Sequence, residues 1–589
     1  MTVSAFPTLP KMKIFKLLPD HLHPMSEIME MLVRRGFIWQ SFEIYGGMAG
    51  FIDYAPLGNG LRRKIENLWR EFFVVNERSV EIDTPTVGIE EIFIASGHAE
   101  GFTDVAIECS NCGKVFRADH YVKEKLNLEV DPTVEAVKSV IQEFNLKCEC
   151  GGEFKEPEHF NLMFETKIGP GRGKKGYLRP ETAQGIFIAF KRLSDYFRNK
   201  LPFGVAQIGR AYRNEISPRQ GVIRLREFNQ AELEFFCHPG EKRHPEFSKY
   251  ADDTLTLVDK FDKEHRITLK EAVEKGIIAH ELLAYFVGKT RRFLLSAGVN
   301  DEKLRFRQHK DDERAHYAVD CWDAEVLLSY GWIEVVGIAD RSDYDLSRHT
   351  QFSREDLSIF VPYEESVKVR KRKVIPNISK LGPAFRDRAK KIAEELEKLE
   401  DAGDEITVVV DGEEIRVTSE YYEIKEVEEE MHGERIVPHV IEPSFGLDRI
   451  TYAVLEHAFD TDTVDGEERK VLRLKRKLAP VQIAVLPLLT KDRFVEEAEK
   501  IAVELRESGI YTEVDVTGSI GRRYRRYDEI GTPFCITIDH QTFEDKTVTI
   551  RDRDTTSQIR VEKSELVKTL IELLNSERSI TEFGEVFRA

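Results

Sequence analysis

Residues 206–215 read Ala206-Gln-Ile-Gly-Arg-Ala-Tyr-Arg-Asn-Glu215, and after a short loop residues 223–235 read Ile223-Arg-Leu-Arg-Glu-Phe-Asn-Gln-Ala-Glu-Leu-Glu-Phe235. Polar and apolar residues alternate in the second segment, which is typical of a half-buried β-strand. The first segment is preceded by a short apolar run, residues 203–209, bounded by turn residues. We therefore predict two antiparallel strands joined by a loop rich in arginine and proline.

This predicted hairpin brings fixed charges around one pocket, and the charged residues are Arg213, Glu215, Arg224 and Arg226. An arginine guanidinium is planar, donates two hydrogen bonds to one phosphate and does not lose its charge. Three arginines in one place therefore favour a polyphosphate ligand. The alternative is a salt-bridged surface hairpin, which would not require Phe228 and Glu232 beside the arginines.

Two more segments pass from a strand into a helix. They are Gly176-Tyr-Leu-Arg-Pro-Glu-Thr-Ala-Gln-Gly-Ile186 and Pro438-His-Val-Ile-Glu-Pro-Ser-Phe-Gly-Leu-Asp-Arg-Ile450. We predict that the second helix starts near Gly446 and carries Arg449 in its first turn. Taken alone, each segment is also compatible with an ordinary capped helix.

Composition indicates a globular chain of several domains, since its 589 residues are 41% hydrophobic and 33% charged. The formal net charge of −18 argues against a general polyanion binder. Basic runs at residues 368–373, 473–477 and 522–526 could still hold a nucleic acid locally, or could be solvated faces balanced by nearby acids. The chain contains no run of eighteen apolar residues, so we expect a cytoplasmic protein without a membrane partner.

Four of the seven cysteines form two close pairs, Cys109 with Cys112 and Cys148 with Cys150. Such pairs suit a reducing compartment, and four thiolates that meet at one point would bind one structural Zn²⁺. The alternative is a pair of turns with reduced thiols, the relic of a lost metal site.

The order of predicted elements indicates an α+β fold. After about residue 480, strands and helices alternate, which predicts a small α/β domain with a mixed or parallel sheet. Residues 355–430 look charged and mostly helical or mixed, with residues 384–400 as the clearest charged helix, and residues 79–87 look like a strand. We expect eight segments: 1–104, 105–160 (the cysteine-bearing insertion), 161–240, 241–320 (a helical insertion), 321–354, 355–430 (another insertion), 431–479 and 480–589.

Together these motifs resemble a known family. The hairpin resembles motif 2 of the class II aminoacyl-tRNA synthetases, the segment ending at Ile450 resembles motif 3, and residues 57–85 resemble motif 1. Residues 45–58, 178–185, 331–346 and 440–446 are similar to the glycine-specific enzymes of the dimeric type. The resemblance extends from about Arg35 to the C-terminus.

The resemblance implies an antiparallel sheet flanked by helices, with insertions and a C-terminal α/β anticodon-binding domain. It also implies that the chain activates glycine with ATP and Mg²⁺ and transfers it to the 3′ end of tRNA(Gly). Motif 1 forms a dimer interface in this class, so we expect a C2 homodimer.

The resemblance also assigns roles in ATP binding. Arg213 and Arg449 are the expected catalytic residues. Arg213 is expected to contact the α-phosphate, and Arg449 is expected to cover one face of the adenine and reach the γ-phosphate. Glu215 accepts from the adenine amino group, Phe228 stacks on the ring, and Glu334 is linked to Mg²⁺. The full expected ATP-binding set is Arg213, Asn214, Glu215, Ile223, Arg224, Leu225, Arg226, Glu227, Phe228, Glu334, Val335, Gly446 and Arg449.

Glycine offers only an ammonium, a carboxylate and two hydrogens for recognition. Glu181, Glu232 and Glu442 are expected as an acidic cage for the ammonium, Ser444 as a wall that excludes a methyl group, and Phe228 as a further contact. No amino acid is smaller than glycine, so we expect no editing domain. In the C-terminal domain, Arg522, Arg523 and Arg525 are expected to contact tRNA.

Two other functions would share parts of this pattern. A threonyl- or prolyl-specific enzyme has the same core and C-terminal domain, but Glu181 and the residues 442–444 argue against it. A non-enzymatic paralogue, such as a polymerase accessory subunit, would be expected to lose the ATP arginines, whereas Arg213 and Arg449 are both present.

Overall fold

The computed structural model describes residues 27–218, 221–311, 313, 318–399, 402–464 and 466–587. The described residues form two compact units. The first unit takes those within Met1–Leu193, Leu201–Leu357 and Pro438–Ala589, and the second takes Ser194–Lys200 and those within Ser358–Val437.

A nine-stranded sheet is the centre of the first unit, and it confirms the expected class II architecture. Its neighbouring strands are antiparallel except for two parallel pairs. In spatial order the strands are Glu264–Thr268, Thr254–Val258, Leu304–Gln308, Asp320–Leu328, Gly331–Ser342, His439–Gly446, Glu227–Cys237, Phe203–Tyr212 and Val80–Glu81.

The two faces of this sheet differ because successive side chains of a strand point to opposite sides. On Glu227–Cys237, the side chains of Ala231, Leu233 and Phe235 join the main hydrophobic core. The alternate residues Gln230, Glu232 and Glu234 are buried and polar on the other face. The sequence alternation thus separates a packed face from a polar face that can carry a site.

Aromatic residues pack the apolar face of the sheet against three helices, Pro56–Arg70, Glu281–Ala297 and Leu447–Ala458. The ring centroids of Phe73 and Phe445 lie 4.7 Å apart. The helix Glu281–Ala297 belongs to residues 241–320, which were expected to be a helical insertion. That expectation is wrong, because these residues also supply three strands of the central sheet.

The helices of the first unit lie around the sheets, and among the described residues none is both long enough and apolar enough to cross a bilayer. Their bounds are Glu27–Arg35, Pro56–Arg70, Glu90–Ala95, His98–Gly101, Ala118–Leu126, Val134–Glu143, Ala183–Tyr196, Leu269–Glu274, Glu281–Ala297, Tyr344–Ser353, Leu447–Ala458, Asp492–Glu507, Ile520–Glu529, Thr542–Asp545 and Leu566–Leu574.

Smaller sheets complete this part of the unit. They are Ile38–Gln40 with Ile52–Tyr54; Val87–Ile89, Lys174–Leu178 and Phe164–Ile168; Val115–Arg117, Thr103–Glu108 and Glu158–Asn161; and Phe459–Val464 with Glu467–Leu472. The strand expected at residues 79–87 is instead two short strands in different sheets. Pro85 lies between them and has no N–H with which to continue a ladder.

The C-terminal residues fold into a six-stranded mixed sheet, as predicted from their alternating elements. Its strands are, in spatial order, Thr512–Val514, Ile483–Pro487, Phe534–Ile538, Thr547–Asp552, Gln558–Glu562 and Glu585–Phe587. The first three are parallel and the others antiparallel. The sheet and its helices enclose a hydrophobic core of their own.

The second unit is built on two long antiparallel strands, and residues 355–430, which were expected to be mostly helical or mixed, contain both strands and helices. Its strands are Ile359–Pro376 paired with Tyr422–Ile436 and Glu405–Val410 paired with Glu413–Thr418, and its helices are Ile378–Phe385 and Ala389–Leu396. The single helix expected at residues 384–400 is interrupted at Arg386, whose φ of 47° no α-helix contains; its last residue, 400, lies outside the described residues.

The pairing of the two long strands also explains the basic run at residues 368–373. Those residues pair with the acidic strand Tyr422–Ile436, and Arg370 Nε lies 3.1 Å from Glu428 Oε1. This arrangement favours the interpretation of the run as a solvated face balanced by nearby acids.

Candidate active site

An open cavity of about 240 Å³ lies on the polar face of the central sheet. Its wall brings together most of the residues expected to bind ATP or glycine. From the expected ATP set it contains Arg213, Glu215, Ile223, Arg224, Leu225, Phe228, Glu334, Val335, Gly446 and Arg449, and from the glycine set it also contains Glu181, Glu232, Glu442 and Ser444.

Three residues of the expected ATP-binding set are not on this wall: Asn214, Arg226 and Glu227. The Arg226 guanidinium donates to the backbone oxygen of Glu215, from Nε at 3.0 Å and Nη2 at 2.8 Å, and to that of Ala49 at 2.9 Å. Glu227 pairs with Arg210 on the neighbouring strand. The expected ATP contacts of Arg226 and Glu227 are therefore corrected to roles that hold the hairpin together.

The Arg213 guanidinium lies between two aromatic rings. Its carbon is 5.4 Å from the centroid of Phe228 and 5.4 Å from that of Phe102. Its Nε also donates to the backbone oxygen of Pro180 at 3.3 Å. These contacts fix the position of one positive charge at the cavity wall.

Two acid–base pairs lie at the same end of the cavity. Arg224 Nε donates to Glu215 Oε2 at 2.7 Å. Arg449 Nη1 donates to the Glu334 backbone oxygen at 2.8 Å and lies 3.2 Å from Glu334 Oε2. Arginines in such pairs can exchange a carboxylate for a phosphate, because both ligands accept two parallel hydrogen bonds.

Three buried carboxylates form the other end of the cavity. Glu232 accepts from the backbone N–H of Thr182 at 2.7 Å and from Ser444 Oγ at 2.7 Å. Glu442 lies two residues before Ser444 on the next strand, so both side chains face the cavity. Glu181 accepts from Gln184 Nε2 at 2.8 Å.

These carboxylates perturb one another strongly. Burial raises the pKa of Glu442 to about 7, with Arg341 lowering it and the charges of Glu232 and Glu181 raising it further. Burial and then the charge of Glu181 raise the pKa of Glu232. Burial acts in the same direction on Glu181, but His98 and Arg341 hold its pKa well below the ordinary value. A cation placed among these groups would relieve their mutual repulsion.

Sequence reasoning missed Arg341, which is 1% exposed. Its Nη1 donates to both oxygens of Glu442 at 2.9 Å, and its Nε donates to Asp345 Oδ2 at 2.8 Å. Arg341 therefore orients one wall of the carboxylate cage. Its presence in the segment 331–346, which is similar to the family, was the available signal.

The four clustered cysteines meet at one point in the structure. The four Sγ atoms all lie within 4.8 Å of one another. Cys109 Sγ lies 3.5 Å from Cys150 Sγ, and Cys112 Sγ lies 3.7 Å from Cys148 Sγ. Zn–S bonds of about 2.3 Å in a tetrahedron place sulfurs about 3.8 Å apart, so the cluster fits a structural zinc.

The arginines expected to contact tRNA lie on the helix Ile520–Glu529 but have different environments. Arg522 is exposed and Arg525 is half-buried. Arg523 is 1% exposed and donates to the backbone oxygens of Pro487 at 2.7 Å and Asp515 at 2.9 Å. The expected tRNA contact is wrong for Arg523, because its side chain is on the inner face of the helix.

Comparison with known proteins identifies both halves of this architecture. Residues 165–314 match the tRNA synthetase class II core domain (G, H, P, S and T), and residues 482–573 match the anticodon binding domain.

Curated relatives match nearly the whole chain. A glycine–tRNA ligase of Archaeoglobus fulgidus is 74% identical over 566 residues, which are 96% of this chain and 99% of the relative. Enzymes of the same name from Methanothrix thermoacetophila and Pyrococcus furiosus are 53% and 48% identical, over 95% and 93% of this chain and 98% of each relative. The chain therefore belongs to the glycine–tRNA ligase family of class II aminoacyl-tRNA synthetases.

Proposed function

We propose that this chain joins glycine to tRNA(Gly) in two steps. Glycine and ATP give glycyl-adenylate and pyrophosphate, and the glycyl group then passes to the 3′ end of the tRNA with release of AMP. The observation that carries this proposal is the cavity itself, whose one end presents arginines and whose other end presents three buried carboxylates. Family membership supports it.

In the first step the glycine carboxylate attacks the α-phosphate of ATP in line with the leaving pyrophosphate. We assign Arg213 to the α-phosphate and the glycine carboxylate, since its charge is held at the wall by Phe102 and Phe228. Arg449 and Arg224 are assigned to the adenine face and the outer phosphates. No covalent enzyme intermediate is needed, so these residues act by positioning and charge neutralisation.

Mg²⁺ prefers a few carboxylates together with phosphate oxygens and water. Glu334 fits this preference, because its side chain is half-exposed on the cavity wall beside Arg449. We propose that Glu334 would hold Mg²⁺ there, where the ion would neutralise phosphate charge.

We propose that Glu181, Glu232 and Glu442 bind the glycine ammonium and that Ser444 limits the space at its α-carbon. Ser444 is held in place by its bond to Glu232 and by Gln230 Nε2 at 3.3 Å. A fixed wall close to the α-carbon would reject alanine by overlap with its methyl group.

Ser444→Gly should raise kcat/KM for alanine relative to that for glycine by about tenfold or more, because one methylene of pocket space is worth about 1–3 kcal/mol. The measurement is amino-acid-dependent ATP–pyrophosphate exchange in both proteins. Ser329→Gly is the control, since Ser329 is exposed and bonds to Glu456 away from the cavity. An unchanged ratio would place methyl exclusion elsewhere in the pocket.

The overall reaction can be tested directly with a tRNA(Gly) transcript. The chain with ATP and labelled glycine should yield glycine esterified to the 3′ end, with one AMP formed per ester. Esterification of a different amino acid to a different tRNA, with none for glycine, would overturn the proposal.

We further propose that Cys109, Cys112, Cys148 and Cys150 bind one structural Zn²⁺. Gly152 supports this arrangement, because a Cβ at that position would lie 2.8 Å from Cys109 Sγ and 3.3 Å from Cys150 Sγ. The ion would fix the fold of residues 105–160.

Purified protein should retain about one tightly bound Zn²⁺ per chain after dialysis, and Cys148→Ser should lose it, since structural sites need all four ligands. Metal analysis of both proteins and of Cys535→Ser, a buried thiol outside the cluster, checks this. Adenylate formation should largely persist in Cys148→Ser. Dialysed wild type without zinc would select the relic interpretation.

A C2 homodimer is also proposed. Apolar side chains of the segment 42–48 are strongly exposed, with Ile44 88%, Tyr45 86% and Met48 54% accessible. Clustered exposed apolar groups are typical of interaction surfaces. A second copy of the chain would cover them in an isologous contact.

Replacing Ile44 and Tyr45 together by Asp should convert a dimer into a monomer, because two charges would be buried in the interface. Sedimentation equilibrium at micromolar concentration measures the mass. Val503→Asp, on an exposed position of the C-terminal helix Asp492–Glu507, should remain dimeric. A wild-type chain that is monomeric and fully active would contradict the proposal.

Residues from about 480 onward are proposed to bind the anticodon stem, supported by the family match at residues 482–573. Arg522 and Arg525 remain the proposed tRNA contacts on this domain. We propose the other segment boundaries as they were predicted from the sequence, except that residues 241–320 belong with the core. A cytoplasmic location is proposed from the thiol cluster, which suits a reducing compartment.

A further inference from the structure

Three side chains of different chemistry meet on the cavity wall: His309, Cys321 and Asp323. One ligand atom from each lies within 4.8 Å of the other two. His309 Nε2 and Asp323 Oδ2 are 2.7 Å apart. The proposed activation of glycine uses none of these three groups.

The register of two strands builds this cluster. His309 directly follows the strand Leu304–Gln308, and its backbone N–H donates to the Cys321 oxygen at 2.9 Å. Cys321 and Asp323 are two residues apart on the strand Asp320–Leu328, so they face the same side. Trp322 lies between them and points into the hydrophobic core.

The cluster is open toward the cavity. Asp323 is paired in register with Gly337 of the next strand. A Cβ at Gly337 would lie 3.9 Å from Asp323 Oδ1, so glycine leaves the space above the carboxylate clear. His309 Nδ1 is buried and has no hydrogen-bond partner among the residues that the structure describes.

We propose that His309, Cys321 and Asp323 form a binding site for a thiophilic divalent cation, Zn²⁺, on the wall of the substrate cavity. An imidazole nitrogen, a thiolate and a carboxylate oxygen are the donor types that Zn²⁺ takes, whereas Mg²⁺ and Ca²⁺ take oxygen. Three protein ligands leave the fourth tetrahedral position to water on the cavity side. This site is distinct from the four-cysteine cluster and from Glu334.

The His309–Asp323 pair needs only a small adjustment to hold the ion. Zn–N and Zn–O bonds of about 2.0–2.1 Å at a tetrahedral angle place two ligand atoms about 3.3 Å apart. The hydrogen bond between His309 and Asp323 would therefore open by about 0.6 Å. On binding, the Cys321 thiol proton leaves to solvent and the sulfur lone pair forms the S–Zn bond, without a change of oxidation state.

Cobalt provides a spectroscopic test on the full chain. The protein is first saturated with Zn²⁺ and dialysed, so that a tight four-thiolate site in the cysteine cluster stays filled, whereas the weaker three-ligand site, which is open to water, loses its ion. Co²⁺ is then titrated, and the near-ultraviolet thiolate-to-cobalt charge-transfer band reports a thiolate ligand at a second site. Wild type and Cys535→Ala should show this band, and Cys321→Ala should lack it.

His309→Gln removes a ligand without touching the thiol, so the band should persist with an affinity at least about tenfold weaker. This variant keeps the test valid if Cys321→Ala fails to fold. Absence of the band in wild type, an equal band in Cys321→Ala, or an unchanged affinity in His309→Gln would each overturn the proposal.

A second measurement tests the placement on the cavity wall and rests on the proposed ATP site. Zn²⁺ added to the dialysed wild-type protein should weaken the binding of Mg·ATP, because a second cation would lie close to Glu334. The same addition should weaken it much less in Cys321→Ala. Equal weakening in both proteins would overturn the placement, while the cobalt result stands independently of the proposed function.

Discussion

Arg213→Ala is expected to lower the rate of glycine-dependent ATP–pyrophosphate exchange by about 10²- to 10³-fold, while the affinity for ATP changes much less. The α-phosphate gains charge at its equatorial oxygens in the transition state, so a guanidinium placed there stabilises the transition state more than bound ATP. The two aromatic contacts at 5.4 Å fix that guanidinium before substrate arrives. Exchange kinetics, with kcat and the KM for ATP measured separately, check the prediction.

A second variant of the ATP site and a control variant accompany this experiment. Arg449→Ala should weaken ATP binding as well as the rate, since Arg449 is assigned to the adenine face and the γ-phosphate. Arg210→Ala is the control, because Arg210 lies on the strand Phe203–Tyr212 that ends directly before Arg213. Arg210 is exposed, pairs with Glu227 and lies outside the cavity. Near wild-type exchange in both Arg213→Ala and Arg449→Ala would show that the motif assignments are wrong.

Glu442→Gln is expected to raise the KM for glycine by about ten- to a hundredfold, with little effect on ATP. A hydrogen bond between an ammonium and a carboxylate contributes about 1.5–3 kcal/mol, and the amide replaces it with a neutral acceptor. Glu181→Ala should act in the same direction. The measurement is the KM for glycine in pyrophosphate exchange.

The same residue predicts a pH dependence with a definite sign. Burial raises the pKa of Glu442 to about 7, so below that pH the carboxyl is largely protonated. The ammonium of glycine stays charged in this range and binds the ionised cage. The KM for glycine in wild type should therefore fall as pH rises from about 6 to 8, and this change should flatten in Glu442→Gln.

Glu234→Gln is a matched control for that experiment. Glu234 lies two residues from Glu232, is fully buried and is not among the residues that line the cavity. Burial raises its pKa well above the ordinary value. The substitution should leave the pH profile of the glycine KM in place. A profile that flattens in Glu234→Gln but not in Glu442→Gln would contradict the assignment.

The sequence was sufficient to predict the hairpin and most of the cavity wall, because alternation along a strand determines which side chains share a face. Glu232 and Phe228 are separated by an even number of positions on one strand, and both reach the cavity. Motif similarity then brought Glu442 and Ser444 to the same pocket.

Residue type alone did not predict the direction of an individual arginine. Arg226 and Arg523 stand beside arginines that are accessible, yet their guanidinium groups bond to backbone oxygens. Arg341 was missed for a related reason. A buried cation is recognised by the acids around it. Asp345 is only four residues from Arg341, but Glu442 comes from a distant strand.

Long-range pairing was the other property that local patterns did not contain. Residues 241–320 include a long helix, and their three strands pair with one another and join the rest of the central sheet through the strand Asp320–Leu328. His309 and Cys321 likewise meet because the strand Leu304–Gln308 pairs with Asp320–Leu328 in one register. A shift of one residue would turn Cys321 to the opposite face.

The central claim is that the arginine end and the carboxylate end of one cavity together activate glycine. ATP–pyrophosphate exchange measured with each of the twenty amino acids tests it most directly. We predict exchange that depends on glycine, with alanine and all larger amino acids supporting far lower kcat/KM. Exchange driven by another amino acid in preference to glycine would contradict the account.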